Sequence, residues 1–283
     1  MKRIGFIGTE NSHTDHFIRF LNQEVRHPGF CAAALAGGRT ERNLSLARSG
    51  GIELIVNEPT DLIGLVDAAI ISTRDGAKHR EQAEPLLAAG IPVLVDKPLA
   101  TTIEDADAIL AAAETSGTLV YSASALRFVP EIAEMKRLSA REGPMRHLHI
   151  AGSGDVDSPY SGLFFYGIHH VEAALELLGN PPVDDVEVSV FRREDTTVAT
   201  LAVAETPITL TFVAPREAEQ LGFHATAVFG QSTHAVPLTL GPDYNAPALA
   251  NFVGAVASGK APTSAADMRA PITVLAAIVE RLR

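Results

Sequence analysis

Up to about residue 120, short apolar runs alternate with amphipathic stretches. "RIGFIG", "FCAAALAGG", "DAAIIST", "PVLVDKP" and "TLVYSAS" are apolar at nearly consecutive positions, which predicts strands buried on both faces. Between them, "HTDHFIRFLN", "TERNLSLARSG", "KHREQAEPLLAAG" and "TTIEDADAILAAAETSG" carry helical periodicity. In the last of these, Ile103, Ala106, Ile109, Leu110 and Ala113 fall on one face. Strand and helix in strict alternation predict a parallel sheet covered on both sides, a doubly wound α/β domain over 1–122.

After Ser124 the pattern changes. "EIAEMKRLSAREG" predicts a linking helix, "MRHLHIAGSGD" a strand, and "LFFYGIHHVEAALELLG" a helix ending in a glycine suited to a C-terminal cap. Next come "VDDVEVSVFRR", "TTVATLAVAE", "PITLTFVA", "GFHATAVFG" and "THAVPLTL", short and alternating, with little helix between them. That alternation predicts a mainly antiparallel sheet with one solvated face. "ALANFVGAVASG" and "MRAPITVLAAIVERLR" close the chain as helices, giving a second, α+β domain over 123–283.

Charge narrows the function classes. The formal net charge is 23 − 34 = −11 with no basic block, which argues against nucleic acid as a partner. No stretch has the length of a membrane span, and no signal-peptide core is visible. One cysteine, Cys31, fits a reducing compartment, so a cytoplasmic location is expected.

The first strand ends in "IGTENSHTDHF", which has the outline of a phosphate-binding turn. Gly8 fits the first position of G-x-G-x-x-G, but Glu10 and His13 stand where the second and third glycines belong. Asn11 or Ser12 is placed to cap the following helix. At the end of the second strand the ribose-gripping acid is missing; Gly37 or Gly38 stands there, followed by Arg39 and Arg42. Loss of the acid with gain of arginine suits a 2′-phosphate, while a solvated turn with surface arginines reads equally well.

Lys97, in "PVLVDKPLA", sits at the carboxyl end of a predicted parallel strand, where open sheets form their ligand crevice. His13 with His16, and His147 with His149, share faces, but neither pair finds further ligands at a recognised metal spacing, so no metal site is expected. No G-x-S-x-G elbow or P-loop lysine motif is present.

Taken together, "VDKPLA", "STRDGAKH", "LRFVP" and "NFVGAVASGKAPTSAADM" resemble the Gfo/Idh/MocA oxidoreductase family. "VDKPLA" is similar to the family's E-K-P-L-A with Asp96 for Glu, "STRDGAKH" to its A-T-P-N-x-x-H turn, and "LRFVP" to its R-F-x-P. The resemblance implies a Rossmann-like first domain and a nicotinamide cofactor, NAD or NADP with NADP slightly favoured. Gly8, Thr9, Glu10, Asn11, Ser12, His13, Arg39, Ser72, Thr73, His79, Asp96 and Lys97 would lie along that cofactor. It also implies Lys97 polarising the reacting hydroxyl and His169 as acid/base, with a homo-oligomer, dimer or tetramer, formed through the second domain's sheet. The family's aspartate, four residues before the histidine, is replaced by Phe165; Tyr166 is the polar substitute on the same face, and Glu172 is placed to orient the imidazole.

The implied activity is NAD(P)-dependent oxidation or reduction of a sugar, polyol or related hydroxy compound. The competing expectation is a catalytically impaired family member that senses a ligand or nucleotide, favoured by Glu10, the missing ribose acid and Phe165.

Overall fold

A computed structural model describes residues 1–216 and 221–283. The chain divides into two compact units: Met1–Ala100 with Glu104–Ala123 and Asn245–Ala265, and Thr101–Ile103 with Ser124–Tyr244 and Ala266–Arg283.

The first unit is built on six strands: β1 (Lys2–Ile7), β2 (Phe30–Ala36), β3 (Leu54–Val56), β4 (Ala68–Ile71), β5 (Val93–Val95) and β6 (Val120–Tyr121). Their order is β3-β2-β1-β4-β5-β6 and every pairing is parallel. Apolar runs without alternation are what such a sheet demands, because both faces are covered. All of Ala68–Ile71 and Val93–Val95 are accordingly buried. The chain order reverses between β1 and β4, which opens the crevice beyond their carboxyl ends.

Its helices are α1 (Ser12–Ile18), α2 (Thr40–Gly50), α3 (His79–Ala88) and α4 (Ile103–Ser116). One regular helix over "HTDHFIRFLN" is not what forms: α1 ends at Ile18 and the chain widens into a π-turn over Arg19–Gln23. Asn22 accompanies this turn, exchanging hydrogen bonds with the backbone of Ala32 (both 2.8 Å) and donating to Gly50 O (2.7 Å). Strand β3 escapes the sequence pattern because it is three residues long and only half covered.

The second unit carries helices α5 (Pro130–Glu142) and α6 (Gly167–Leu177) and strands β7 (His147–Ser153), β8 (Val188–Arg193), β9 (Thr196–Val203), β10 (Thr206–Val213), β11 (Phe223–Val228) and β12 (Thr233–Leu238). The sheet order is β12-β11-β7-β10-β9-β8. All pairings are antiparallel except β7 with β10, which is parallel. The exception follows from connectivity. After β7 the chain crosses through α6, enters the sheet at its edge as β8, and two hairpins return it beside β7. Buried residues such as Leu148, Ile150, Leu210 and Phe212 alternate with half-exposed ones, so one face is core and the other is not.

The last helices are α7 (Ala246–Ser258) and α8 (Ala265–Glu280). Although α7 follows the second sheet in the chain, it belongs to the first unit. Asn251 Nδ2 donates to the Tyr121 hydroxyl (3.1 Å), Lys2 Nζ to Val256 O (3.2 Å), and the amide of Asn245 meets His16 Nδ1 (3.2 Å). Residue 122 therefore does not mark a single crossing between the units. Among the described residues no helix is long and apolar enough to cross a membrane.

Candidate active site

The turn after β1 is held by side chains closing on backbone. Gly8 has φ +79°, and a Cβ there would overlap the backbone of Thr73, so the position requires glycine. Asn11 caps α1: its Oδ1 accepts the His13 N–H (3.1 Å) and its Nδ2 donates to Ser72 O (3.0 Å). Ser12 begins the helix and is exposed. The Ser72 hydroxyl meets Thr14 Oγ1 (2.7 Å) and the carbonyls of Ile7 and Gly8 (3.2 and 3.3 Å). Gly8, Asn11, Ser72 and Thr73 thus converge beyond β1 and β4.

Glu10 lies at the rim of this turn, exposed, and Oε1 accepts the backbone N–H of Arg74 (3.1 Å). The carboxylate that replaces a glycine is therefore drawn toward the end of β4.

His13 fills the place of the third glycine with its ring against Asp96, Nδ1 to Oδ2 at 2.6 Å. Burial pushes the Asp96 pKa up. Attraction to His13, the hydrogen bond from its ring and the charge of Lys97 outweigh that and hold the carboxyl well below its usual range. Lys97 is buried, only 7% exposed, at the end of β5, with a cis peptide to Pro98.

Thr73 Oγ1 donates to Gln82 Oε1 (2.8 Å), and its carbonyl lies 2.8 Å from His79 Nε2. His79 Nδ1 faces Pro98 O at 2.8 Å, so this buried ring ties the β4 turn to the Lys97 turn. Burial, only partly opposed by these two carbonyls, lowers its pKa.

At the end of β2, Gly37 and Gly38 both have positive φ. Around them lie two buried oxygens without a hydrogen-bond partner, Thr9 Oγ1 and Asn43 Oδ1. Arg42 is engaged: Nε donates to Thr9 O (2.9 Å) and the guanidinium pairs with Asp15. Arg39, at the N-cap of α2, has a side chain 83% exposed, with Glu41 4.0 Å away.

In the second unit, α6 buries His169, His170 and Glu172. His169 Nδ1 is 2.7 Å from the hydroxyl of Ser124. Glu172, expected to orient the imidazole, binds elsewhere: Oε2 accepts the Ser124 N–H (2.7 Å) and Arg127 Nε (2.5 Å). Arg127 continues to Glu176 (3.1 Å) and Asn180 (2.7 Å). Opposing charges and buried donors are thereby matched across the helix.

Tyr166 is the N-cap residue of α6, and its ring centroid is 5.9 Å from that of His169. Phe165 packs between Tyr160 (4.9 Å) and Tyr166 (4.7 Å) in an aromatic cluster. His147 and His149 lie on the uncovered sheet face, each with Nε2 on a threonine hydroxyl, Thr209 (2.9 Å) and Thr211 (3.0 Å).

Sequence reasoning did not find Ser124 as the partner of His169, nor Asn43 beside the Gly37–Gly38 turn. The only available signal was that "SASALRFVP" follows a strand ending the first sheet; pattern alone does not bring Ser124 to a histidine 45 positions later.

Residues 2–124 match the model of the oxidoreductase family GFO_IDH_MocA, described as having an NAD-binding Rossmann fold. The match covers the first domain, which is similar to the NAD-binding domain of that family. Among curated proteins it is similar to inositol 2-dehydrogenase 1 of Saccharopolyspora erythraea, 34% identical over 139 residues, covering 48% of this chain and 40% of that one. Inositol 2-dehydrogenase 2 of the same organism is 33% identical over 185 residues, covering 62% and 53%. The matched part spans between 27% and 53% of the length of the curated relatives.

Among solved structures, GenD2 from gentamicin A biosynthesis in complex with NAD superposes with a TM-score of 0.84 at 16% identity, covering 99% of this chain and 93% of that one. Scyllo-inositol dehydrogenase from Lactobacillus casei, with bound NAD(H) and scyllo-inositol, gives 0.82 at 15% identity, covering 99% and 96%. At these identities the likeness is one of fold.

Proposed function

We propose that this chain is a Gfo/Idh/MocA-type, nicotinamide-dependent oxidoreductase acting on a CH–OH group of a sugar, cyclitol or related polyol. The observation that carries the reading is the family match over the first domain, in which Lys97 stands buried at the end of β5. The curated relatives, inositol dehydrogenases and a 1,5-anhydro-D-fructose reductase, support the substrate class.

The residues present fit a dinucleotide. Thr9 Oγ1 and Asn43 Oδ1 are orphaned acceptors beside Gly37–Gly38, where ribose hydroxyls would relieve the cost of leaving them unpaired. The Gly8 turn, with Asn11, Ser12 and His13, would face the diphosphate, and Glu10 is drawn aside by Arg74 N–H. A 2′-phosphate would fall to Arg39, since Arg42 is spent on Asp15 and Thr9.

When bound, the nicotinamide exchanges hydride with the substrate carbon. The roles implied by the family resemblance would have the Lys97 ammonium polarise the reacting oxygen and the His169 imidazole, held by Ser124, hydrogen-bond it. Asp96, kept ionised beside His13, balances the buried charge next to Lys97. Tyr166 borders the His169 ring, and we assign it a substrate contact.

Copies of the chain are proposed to associate through the open face of the second sheet. His147, His149, Thr200, Thr209, Thr211 and Thr226 share that face, whose described strand positions carry no acid and so do not oppose a second copy of a chain with net charge −11.

Titration with NADH and NADPH, followed by nicotinamide fluorescence, tests the reading; no binding of either at millimolar concentration rejects it. Lys97→Met is expected to abolish turnover while leaving binding and fold intact. The Phe165 cluster favours a second reading, a sensor that binds dinucleotide without turnover. Tight NADH binding with no activity on any cyclitol or sugar would select it.

A further inference from the structure

Ser124 is completely buried, so its polar groups must be satisfied within the protein. Its N–H goes to Glu172. Its oxygen has two neighbours, the N–H of Leu126 at 3.2 Å and Nδ1 of His169 at 2.7 Å. The first is a donor and takes a lone pair of the hydroxyl oxygen. Among the described residues, only Nδ1 of His169 is left to accept the hydroxyl proton. A ring whose Nδ1 accepts carries its proton on Nε2. Charging the ring would protonate Nδ1, reverse this bond and leave a buried serine proton with no acceptor.

The surroundings act in the same sense. On α6 itself His170 is held neutral, its pKa pushed down to about 4 by burial, and Tyr166 presents its ring. From β11, Phe223 stands edge-on to His169 with ring centroids 5.4 Å apart. Glu172, one turn further along α6, is turned to the Arg127 guanidinium and the Ser124 N–H.

We propose that Ser124 is a positioning residue that keeps His169 neutral with its proton on Nε2, so that this ring donates a hydrogen bond to the reacting oxygen. The inference rests on the reading that His169 meets that oxygen. His169 then acts as a neutral electrophile, as imidazoles do in some other enzymes. A hydroxyl is suited to this role where a carboxylate is not: a carboxylate on Nδ1 would only accept, and would favour the charged ring.

The test is side-chain NMR on protein labelled with 15N-histidine, without cofactor or substrate, the His169 signals being those lost in His169→Gln. The wild type is expected to show the neutral Nε2–H pattern at neutral pH. Ser124→Ala should lose that pattern, with mixed tautomers and protonation at higher pH, and Ser124→Thr should restore it. A wild-type ring that is cationic or protonated on Nδ1 at neutral pH overturns the proposal. So does a folded Ser124→Ala protein with an unchanged spectrum. If Ser124→Ala does not fold, the wild-type and Ser124→Thr spectra decide. Failure to bind NADH would reject the oxidoreductase reading without altering these spectra, so the two stand or fall separately.

Discussion

The ring of His13 and the carboxylate of Asp96 stand 2.6 Å apart, Nδ1 to Oδ2, with both side chains nearly buried. This pair links the first turn of α1 to the residue before Lys97. A glycine at position 13 would leave Asp96 without this hydrogen bond, so the departure from the glycine pattern and the acid beside Lys97 form one unit.

The pair sets a pH dependence. The Asp96 carboxyl is depressed in the folded protein because the effects of His13 and Lys97 outweigh burial. Its stabilisation is therefore complete above the ordinary carboxylate value of about 4 and is lost as pH falls below that toward the depressed folded value. Asp96→Asn should cost about 3 kcal/mol at neutral pH. In urea denaturation the gap from wild type should narrow below about pH 4; a constant gap would count against a depressed Asp96 carboxyl.

Glu10 offers a charge test without a fold penalty. Its carboxylate is exposed and bonded to one backbone N–H. Glu10→Gln should leave stability within about 0.5 kcal/mol. It should tighten NADH binding by roughly fivefold, because about 1 kcal/mol of repulsion from the diphosphate is removed. An unchanged Kd would place the carboxylate beyond electrostatic reach of the cofactor.

Arg39 and Arg42 are expected to separate. Arg39→Ala, at an exposed helix start, should reduce the ratio of NADPH to NADH affinity and leave the melting temperature unchanged. Arg42→Ala breaks the Asp15 pair and the bond to Thr9 O, and should cost about 1 kcal/mol while sparing the ratio. Equal ratios in wild type and Arg39→Ala would exclude Arg39 as the phosphate clamp.

His170 predicts acid sensitivity at a different pH. It is fully buried against Phe212 and Phe223, with a pKa lowered from 6.5 to about 4. Between those values the unfolded chain binds a proton that the folded chain refuses, so stability falls as pH drops, by up to about 3 kcal/mol, and levels off below. His79, also lowered by burial, contributes with the same sign. His170→Gln should flatten this slope in urea midpoints measured from pH 7 to pH 4; an undiminished slope would assign the effect to other groups.

The first sheet was readable because a fully covered parallel strand has no polar face: Ala68–Ile71 and Val93–Val95 are apolar throughout. The second sheet was readable for the opposite reason, its alternation. The parallel β7–β10 pair was not, since strand partners depend on the path of the connections and a strand's own pattern is the same beside either neighbour.

The linear order of residues determined the two-part architecture, the glycine turn after the first strand and the lysine at a strand end. Only the tertiary structure decided which polar atoms meet. Glu10 turns to Arg74, His13 finds Asp96, and Ser124 reaches His169 across 45 residues of chain, leaving Glu172 to Arg127. Hydrophobic periodicity records which side of an element faces the core. A hydrogen bond depends on a fit of about 3 Å between groups brought together by the whole fold, and a chain read locally holds no record of it.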